Sequence, residues 1–587
     1  MNLDRKDAIL VVLLVGVMSA FLLPLLSIGI DQHHDGVYLK PALDVLSGQC
    51  LFRDSFTQYG AVTCYLQALT LMFDRSLLAL RYTTLGIYAV TLICLYCSWR
   101  FLLSRSLTVV ACFLFFLLNP AYETEPWNHT HWMVHPWSSA NAMMFQAIGI
   151  YALFRVIRGE QPDRWGVVLG LACAAVFWCR QPVGIMMTGA LIAIWPALHF
   201  TGWIPAQSTK SAILSRILFG YLAFHGILFG GLALNGALSA WWTQNIVWPA
   251  KWSQSIRWGE TLPLFAHPFE ALMLVGLGLA FALPSQLKRF RPNWPSAWVA
   301  VYLISIVGAM LWHQGLFLRV VAIRDGGWSI VIPLVVVGLV VSSLVMAWRH
   351  RASAQPVEYY VSAALAVVSL GSLVQYYPVA DPWHFFYALA PVCGLFVFAV
   401  WRWSGYSGTA IGVLLLGALL PALYVKVKSI PSALERSLVT LTKPPILRGM
   451  RVSREQANSL EQIADVIALI EQARPDLPGA MIGNNALYPC FLRNQSNPTP
   501  YYVTWRGLAN QAANRQRWDY IHVTRPLMIF QNARWDAVTE FYQRERYVPV
   551  LFVPAEELEI AIPRELADSM GLAIYGIFGV GRPKVRL

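Results

Sequence analysis

Residues 8–36 read AILVVLLVGVMSAFLLPLLSIGIDQHHDG. No charged residue falls between Ala8 and Ile30, and about 20 apolar residues in a helix are enough to cross the hydrocarbon core of a bilayer. The run is too long for a typical signal-peptide core, and no small-residue cleavage site precedes the acidic stretch. It therefore reads as an uncleaved first membrane span. Directly behind it, DQHHDG sets Asp31, His33, His34 and Asp35 at the mouth of that span. What those groups do depends on the side of the membrane they face.

The rest of the chain continues the pattern. Of 587 residues, 57% are hydrophobic and only 13% charged, against about 25% charged in a soluble domain, and mean hydropathy is +0.51. The fold class is a polytopic α-helical membrane protein. Apolar runs predict spans near 8–30, 78–99, 106–120, 138–155, 166–180, 184–200, 213–235, 267–285, 296–313, 327–347, 357–376, 384–401 and 406–425, about 13 transmembrane helices in all. The formal charge of +13 does not point to nucleic acid, because Lys and Arg fall in short clusters between apolar runs, not on one basic face.

Those clusters set the orientation, since basic residues beside spans stay cytoplasmic. With Arg5 and Lys6 inside, the inner loops hold Arg100 and Arg105, then Arg155, Arg158 and Arg164, Lys210 and Arg216, Lys288, Arg289 and Arg291, Arg349 and Arg351, and Arg402. The outer loops hold AYETEPWNHTHWMVHPW and WWTQNIVWPAKWSQSIRW. An odd number of spans puts everything after residue 425 outside. The expected division is a membrane domain over 1–428, with a first outer loop at 31–77, and a small extracytoplasmic α/β domain over 429–587.

In that tail, Ser453 with Gln456 reads as a capping box opening a helix on which Leu460, Ile463, Val466, Ile467 and Ile470 recur at helical spacing. Short strand-like runs follow at AMIGNN, YYVTW, DYIHVT, YVPVLFV and LAIYGIFGV, with a helix near 533–545. In the first outer loop, YLKPALDVLSG and TCYLQALTLMF read as two helices lying in the membrane interface.

The nine cysteines form no spaced framework, and the Cys94–Cys97 pair on a span reads as packing. His129, His131 and His135 have a spacing that could bind a metal but lack an assigned sulfur or carboxylate partner. The tryptophans at 241, 242, 248, 252 and 258 fit an interfacial belt, and His225 fits a hydrogen-bonded position within the bundle. The acids stand out more. Asp31 and Asp35 at the first outer mouth are matched by Glu123 and Glu125 just past a later span, and acids at two mouths can converge on one site. Outward cations are Arg53, Arg81, Arg180, Lys251, Arg257, Arg319 and Arg324, together with His384. Arg53 beside Asp54, and Arg319 and Arg324 beside Asp325, can equally be structural.

An acidic motif at the end of span one, followed by interfacial helices, resembles the GT-C superfamily of membrane glycosyltransferases, which take sugars from polyprenyl-phosphate carriers. Asp35-Gly36-Val37-Tyr38 is similar to the first-loop motif of that superfamily. GQCLFRDSFTQY, from Gly48 to Tyr59, resembles a pattern of bacterial members, and Asp381-Pro382-Trp383-His384 with Pro391 is similar to a late outer-loop motif of the same proteins, which include mannosyltransferases and aminoarabinose transferases. The acidic doublet usual in several subfamilies is missing, with His34 and Gly36 beside Asp35, so metal use and substrate are not carried over.

The resemblance implies an integral-membrane enzyme, of inverting stereochemistry, in a bacterial inner membrane with its site on the periplasmic face. The donor is a polyprenyl-phosphate-linked sugar, and the acceptor an envelope glycan, lipid or protein. No cofactor is required by the residues, and a divalent cation stays open. Such a reaction needs a base for the acceptor hydroxyl and cations for the departing phosphate. The expected base is Asp35 ahead of Asp31, with Glu123 and Glu125 as a second acidic pair. Arg324, Arg319, His384 and Arg180 are expected at the donor phosphate, and His33, His34, Tyr38, Tyr59 and Asp381 at the substrates. The rival readings are a transporter or flippase and a non-catalytic partner in envelope assembly.

Overall fold

The computed structural model describes residues 4–57, 59–119, 134–200, 210–250, 331–350, 356–376, 382–404, 412, 415–417, 438–483, 485–497, 511–531, 541–554 and 557–571. The predicted spans at 267–285 and 296–313, and most of 406–425, lie outside them. So do Glu123, Glu125, Arg319, Arg324 and Asp381, the strand-like runs YYVTW and LAIYGIFGV, and most of the helix near 533–545.

Helices α1 (Arg5–Leu22), α4 (Leu77–Trp99), α5 (Arg105–Leu118), α6 (Ser138–Ile157), α7 (Pro162–Cys179), α8 (Gln181–Phe200) and α9 (Lys210–Leu234) follow the apolar runs closely, as do Val331–Arg349 and Pro356–Ser372. Among the described residues, five helices are long and apolar enough to cross a membrane: Arg5–Leu25, Leu77–Trp99, Ser138–Ile157, Ser211–Leu234 and Val357–Gln375. The run predicted as one span at 384–401 is instead two helices, Pro382–Leu389 and Val392–Ser404, bent by 58° between them. Pro391 sits in the break, where its missing N–H and its ring prevent continuation. Counted as one, the pair raises the number of candidate spans to six. The run at 106–120 forms a helix of only 14 residues, shorter than a full crossing.

One end of the bundle is tied by charge. Asp7 accepts from Tyr96 Oη at 2.9 Å, Arg100 Nε at 3.0 Å and Arg105 Nε at 3.1 Å, and Arg105 also pairs with Asp4. Arg158 lies over the Phe101 ring at 5.1 Å and pairs with Glu160, as does Arg155, which puts that turn at the same end. The opposite end carries the first loop. There α2 (His34–Leu46) and α3 (Ala61–Phe73) behave differently. On α3, Tyr65, Leu69, Met72 and Phe73 are exposed, an apolar stripe suited to an interface. On α2, every residue from Asp35 to Asp44 is buried. This corrects the reading of α2 as interfacial: its second face is covered by the C-terminal part of the chain.

That part begins with the antiparallel pair β1 (Leu438–Thr440) and β2 (Arg451–Ser453). Ser453 then caps the helix Arg454–Ala473, its hydroxyl accepting from Gln456 N–H at 3.2 Å. A four-stranded sheet follows, of β3 (Gly479–Ile482), β4 (Leu527–Gln531), β5 (Tyr547–Val553) and β6 (Leu558–Pro563), in the order β3-β4-β6-β5. Within it β3 and β4 pair in parallel, and the β4–β6 and β6–β5 pairings are antiparallel. DYIHVT, expected as a strand, is the end of the helix Gln511–Thr524. Its preceding residues QAANRQRW are mostly good helix formers, and Arg517 and Ile521, four apart, are both buried.

Two of the contacts that join this unit to the bundle lie at the end of the first span and the start of α2. Arg451 N–H donates to Ser27 O at 2.6 Å and Gly29 N–H to Arg451 O at 2.8 Å, so β2 continues from the last turn of the first span. Beyond it, a Cβ on Gly36 would stand 2.0 Å from Leu487 N and 2.1 Å from Ala486 C. Only glycine lets the 486–487 backbone lie directly on α2.

Candidate functional site

The turn Asp31–Asp35 builds itself from its own side chains. Asp31 Oδ1 accepts the N–H groups of His33 at 3.0 Å and His34 at 2.9 Å, and Asp35 Oδ2 accepts Asp31 N–H at 2.9 Å. This is the reciprocal capping that starts a helix, and it explains why α2 opens here. The same bonds turn the two aspartates in different directions.

Asp35 points inward. Its Oδ2 lies 2.9 Å from Arg81 Nη2, and neither side chain has any exposure. Arg81 Nη1 also donates to Ile28 O at 2.9 Å and Leu26 O at 3.2 Å, so the pair pins the end of the first span to α4. Burial raises the Asp35 carboxyl above its ordinary range, with Arg81 opposing that and the nearby Asp31 adding to it. Asp35, the expected base, is thus sealed in an ion pair without solvent access, whereas a general base needs reach to the proton it collects.

Asp31 and His34 face the other way. His34 Nδ1 lies 2.6 Å from Asp31 Oδ2, with His34 39% exposed and Asp31 8%. Burial pushes the Asp31 carboxyl up. The hydrogen bond and charge of His34, the field of His135 and the His34 backbone N–H outweigh it and hold the group well below the usual carboxylate range. An ionised carboxylate only accepts, so Nδ1 is the nitrogen that donates to Asp31, and Nε2 is the basic atom whenever the ring is neutral.

Around His34 the chain gathers rings from three separate segments. His34 meets Trp137 edge-on at 5.6 Å and His135 at 5.9 Å between ring centroids. His135 stacks on Trp137 at 5.4 Å, and Trp383, His384 and Tyr387 lie 5.9, 5.3 and 6.0 Å from Trp137. Trp137 therefore has His34 of the first loop and His384 of the late one on its flanks. His33 lies 4.9 Å from His34.

Arg180 stands in the break between α7 and α8 and bonds Ser139, two residues beyond Trp137, which brings it to the same end. The approach is close: a Cβ on Gly60 would stand 1.8 Å from Trp178 O. Tyr38 and Tyr59 contact each other at 5.6 Å. Tyr38 is buried completely and burial pushes its hydroxyl well above its ordinary range, which gives it a packing place. Arg53 forms a two-pronged pair with Asp54, with both contacts at 2.8 Å, and donates to Asn235 O at 3.0 Å, a loop-holding role. His225 accepts from Trp178 Nε1 at 3.1 Å, within the bundle as expected.

Among the described residues no group of three His, Cys, Asp or Glu side chains is arranged to hold a metal ion. Asp31 is engaged by His34 and two backbone N–H groups and Asp35 by Arg81. His129 and His131 lie outside the described residues. Sequence reading did not single out Trp137 and Tyr387, and named Trp383 only within the Asp381-Pro382-Trp383-His384 motif. The signal was present only as WMVHPW and DPWHFFY, aromatic runs that an interfacial belt explains equally well.

No family model matches the chain, and no curated protein matches it in sequence. In structure it is similar to an oligosaccharyltransferase of Archaeoglobus fulgidus in complex with Zn and sulfate, with a TM-score of 0.44 and 10% identity over 88% of this chain and 68% of that one. The archaeal oligosaccharyltransferase AglB from the same organism, in complex with an inhibitory peptide and a dolichol-phosphate, gives 0.46 and 10% over 96% and 75%. ArnT from Cupriavidus metallidurans bound to undecaprenyl phosphate gives 0.41 and 13% over 94% and 97%.

Proposed function

We propose that the chain is a GT-C-type membrane glycosyltransferase that moves a sugar from a polyprenyl-phosphate carrier to an envelope glycan, lipid or protein. It acts on the periplasmic face of a bacterial inner membrane, with about thirteen spans, its N-terminus in the cytoplasm and its C-terminal α/β unit outside. The observation that carries the reading is the Asp31–His34 pair, 2.6 Å apart, set among aromatic rings at the mouth of an apolar bundle. A base with a fixed tautomer at that depth suits a substrate whose carrier lies in the membrane and whose acceptor comes from outside.

The step is a single displacement. The acceptor hydroxyl gives its proton to Nε2 of His34, and its oxygen bonds the sugar C1 on the face opposite the phosphate. The bond from C1 to the phosphate oxygen breaks, and its electron pair leaves with the polyprenyl phosphate, so the anomeric centre inverts. Asp31 stays ionised and stabilises the imidazolium. Arg180 is the described cation for the departing phosphate, with His384 beside it and Arg324 and Arg319 as further candidates. Glu123, Glu125 and Asp381 are assigned to the acceptor side. Asp35 holds the mouth in shape through Arg81.

The test is to supply the purified chain, in bilayers, with a polyprenyl-phosphate sugar labelled in the sugar and an envelope extract as acceptor. The expected result is release of polyprenyl phosphate and label in the extract. Donor left unconsumed across extracts would overturn the reading and favour a binding partner, and labelled donor carried intact across the bilayer would favour a flippase.

A further inference from the structure

The turn that carries Asp31 and His34 is held from outside as well as from within. Gln32, between them, is bound twice by the C-terminal unit: Leu487 N–H donates to Gln32 O at 3.2 Å, and Asn485 Nδ2 donates to Gln32 Oε1 at 2.6 Å. Both donors lie on the loop leaving β3, at the carboxyl end of the parallel pair β3–β4, the end where open α/β sheets present their functional loops.

That loop is held at further points. Its 486–487 backbone lies against Gly36, and the chain beyond it closes over α2. Buried Lys40 pairs with buried Asp44 and donates to Gln495 O at 2.9 Å, and Asn497 Nδ2 donates to Asp44 Oδ2 at 2.9 Å. Asn485 is the side chain by which this fixed loop reaches the turn.

We propose that Asn485 is a positioning residue for the Asp31–His34 pair, acting through Gln32, so that the C-terminal unit completes the site. The proposal rests on the transferase reading of that pair. Gln32 is joined by single peptide units to Asp31 and His33, and the backbone N–H groups of His33 and His34 are the donors that orient the Asp31 carboxylate. Loosening Gln32 therefore tilts the carboxylate and the imidazole relative to each other. A misplacement of about 1 Å can cost about 100-fold in rate.

The experiment is a double-mutant cycle on the full chain in bilayers, with Asn485→Ala, Gln32→Ala and both together. Two quantities are read: kcat and donor KM with a polyprenyl-phosphate sugar, and amide hydrogen exchange over residues 33–37. The expected result is a fall in kcat of about 10- to 100-fold with donor KM unchanged. The double variant falls no further than the deeper single one, and exchange over 33–37 is faster in each variant. Asn485→Ser, which shortens the reach and replaces the amide by a hydroxyl, serves in the same way if the alanine variant does not fold.

Multiplicative losses together with wild-type exchange would overturn the proposal even if the wild type transfers sugar. If the wild type consumes no donor, the transferase reading falls alone, and the exchange measurement still decides the positioning: faster exchange supports it and unchanged exchange overturns it.

Discussion

Asp35 and Arg81 meet at 2.9 Å with no exposure on either side chain. Removing one partner of such a pair strands the other charge away from water and costs about 3–5 kcal/mol. Arg81→Ala also deprives Leu26 O and Ile28 O of their donor, so it is expected to unfold the outer end of the bundle more than Asp35→Asn does. Thermal unfolding in detergent checks this order, and the double variant Asp35→Leu/Arg81→Met should be less damaged than Arg81→Ala alone.

Gly36→Ala would drive a methyl group into the Ala486–Leu487 backbone. Overpacking of this kind costs about 1–3 kcal/mol, and here the strain is relieved by lifting the C-terminal unit from α2. Limited proteolysis should release a C-terminal fragment from Gly36→Ala faster than from the wild type. Gly16→Ala, where nothing lies within 4 Å, should leave the digestion pattern unchanged.

The Asp31 carboxyl is held below its ordinary range in the folded chain. A lowered folded value means stability that is fully present above the unfolded carboxylate value of about 3.9 and is lost as pH falls through the lower folded value. Titrating the unfolding midpoint downward from pH 6 should show a loss confined to the region below about 4, and Asp31→Asn should reduce that acid slope. Asp35 has the opposite sign, since its folded value is raised. Its contribution is present below the unfolded value and is lost as pH rises through the folded one.

The sequence made the membrane character and most helix positions readable, because an apolar run has few alternatives in lipid. The first-loop acids could also be picked out, since DQHHDG is conspicuous after an apolar run. Their division of labour could not. Which of Asp35 and Asp31 is sealed inside is decided by Arg81, 46 residues away from Asp35, and by the reciprocal caps of the turn. The burial of α2 was hidden for a related reason: its cover, residues 485–497, lies more than 400 positions further along the chain. Likewise DYIHVT is strand-like by composition and helical by context.

Single-turnover kinetics with a polyprenyl-phosphate sugar, comparing the wild type with Asp31→Asn and His34→Gln, tests the base assignment most directly. Each variant is first shown to be folded by its unfolding midpoint. General-base catalysis is worth about 10²–10⁴-fold, and a loss in that range for both folded variants is the predicted result. Transfer by folded His34→Gln and Asp31→Asn at the wild-type rate would contradict the account.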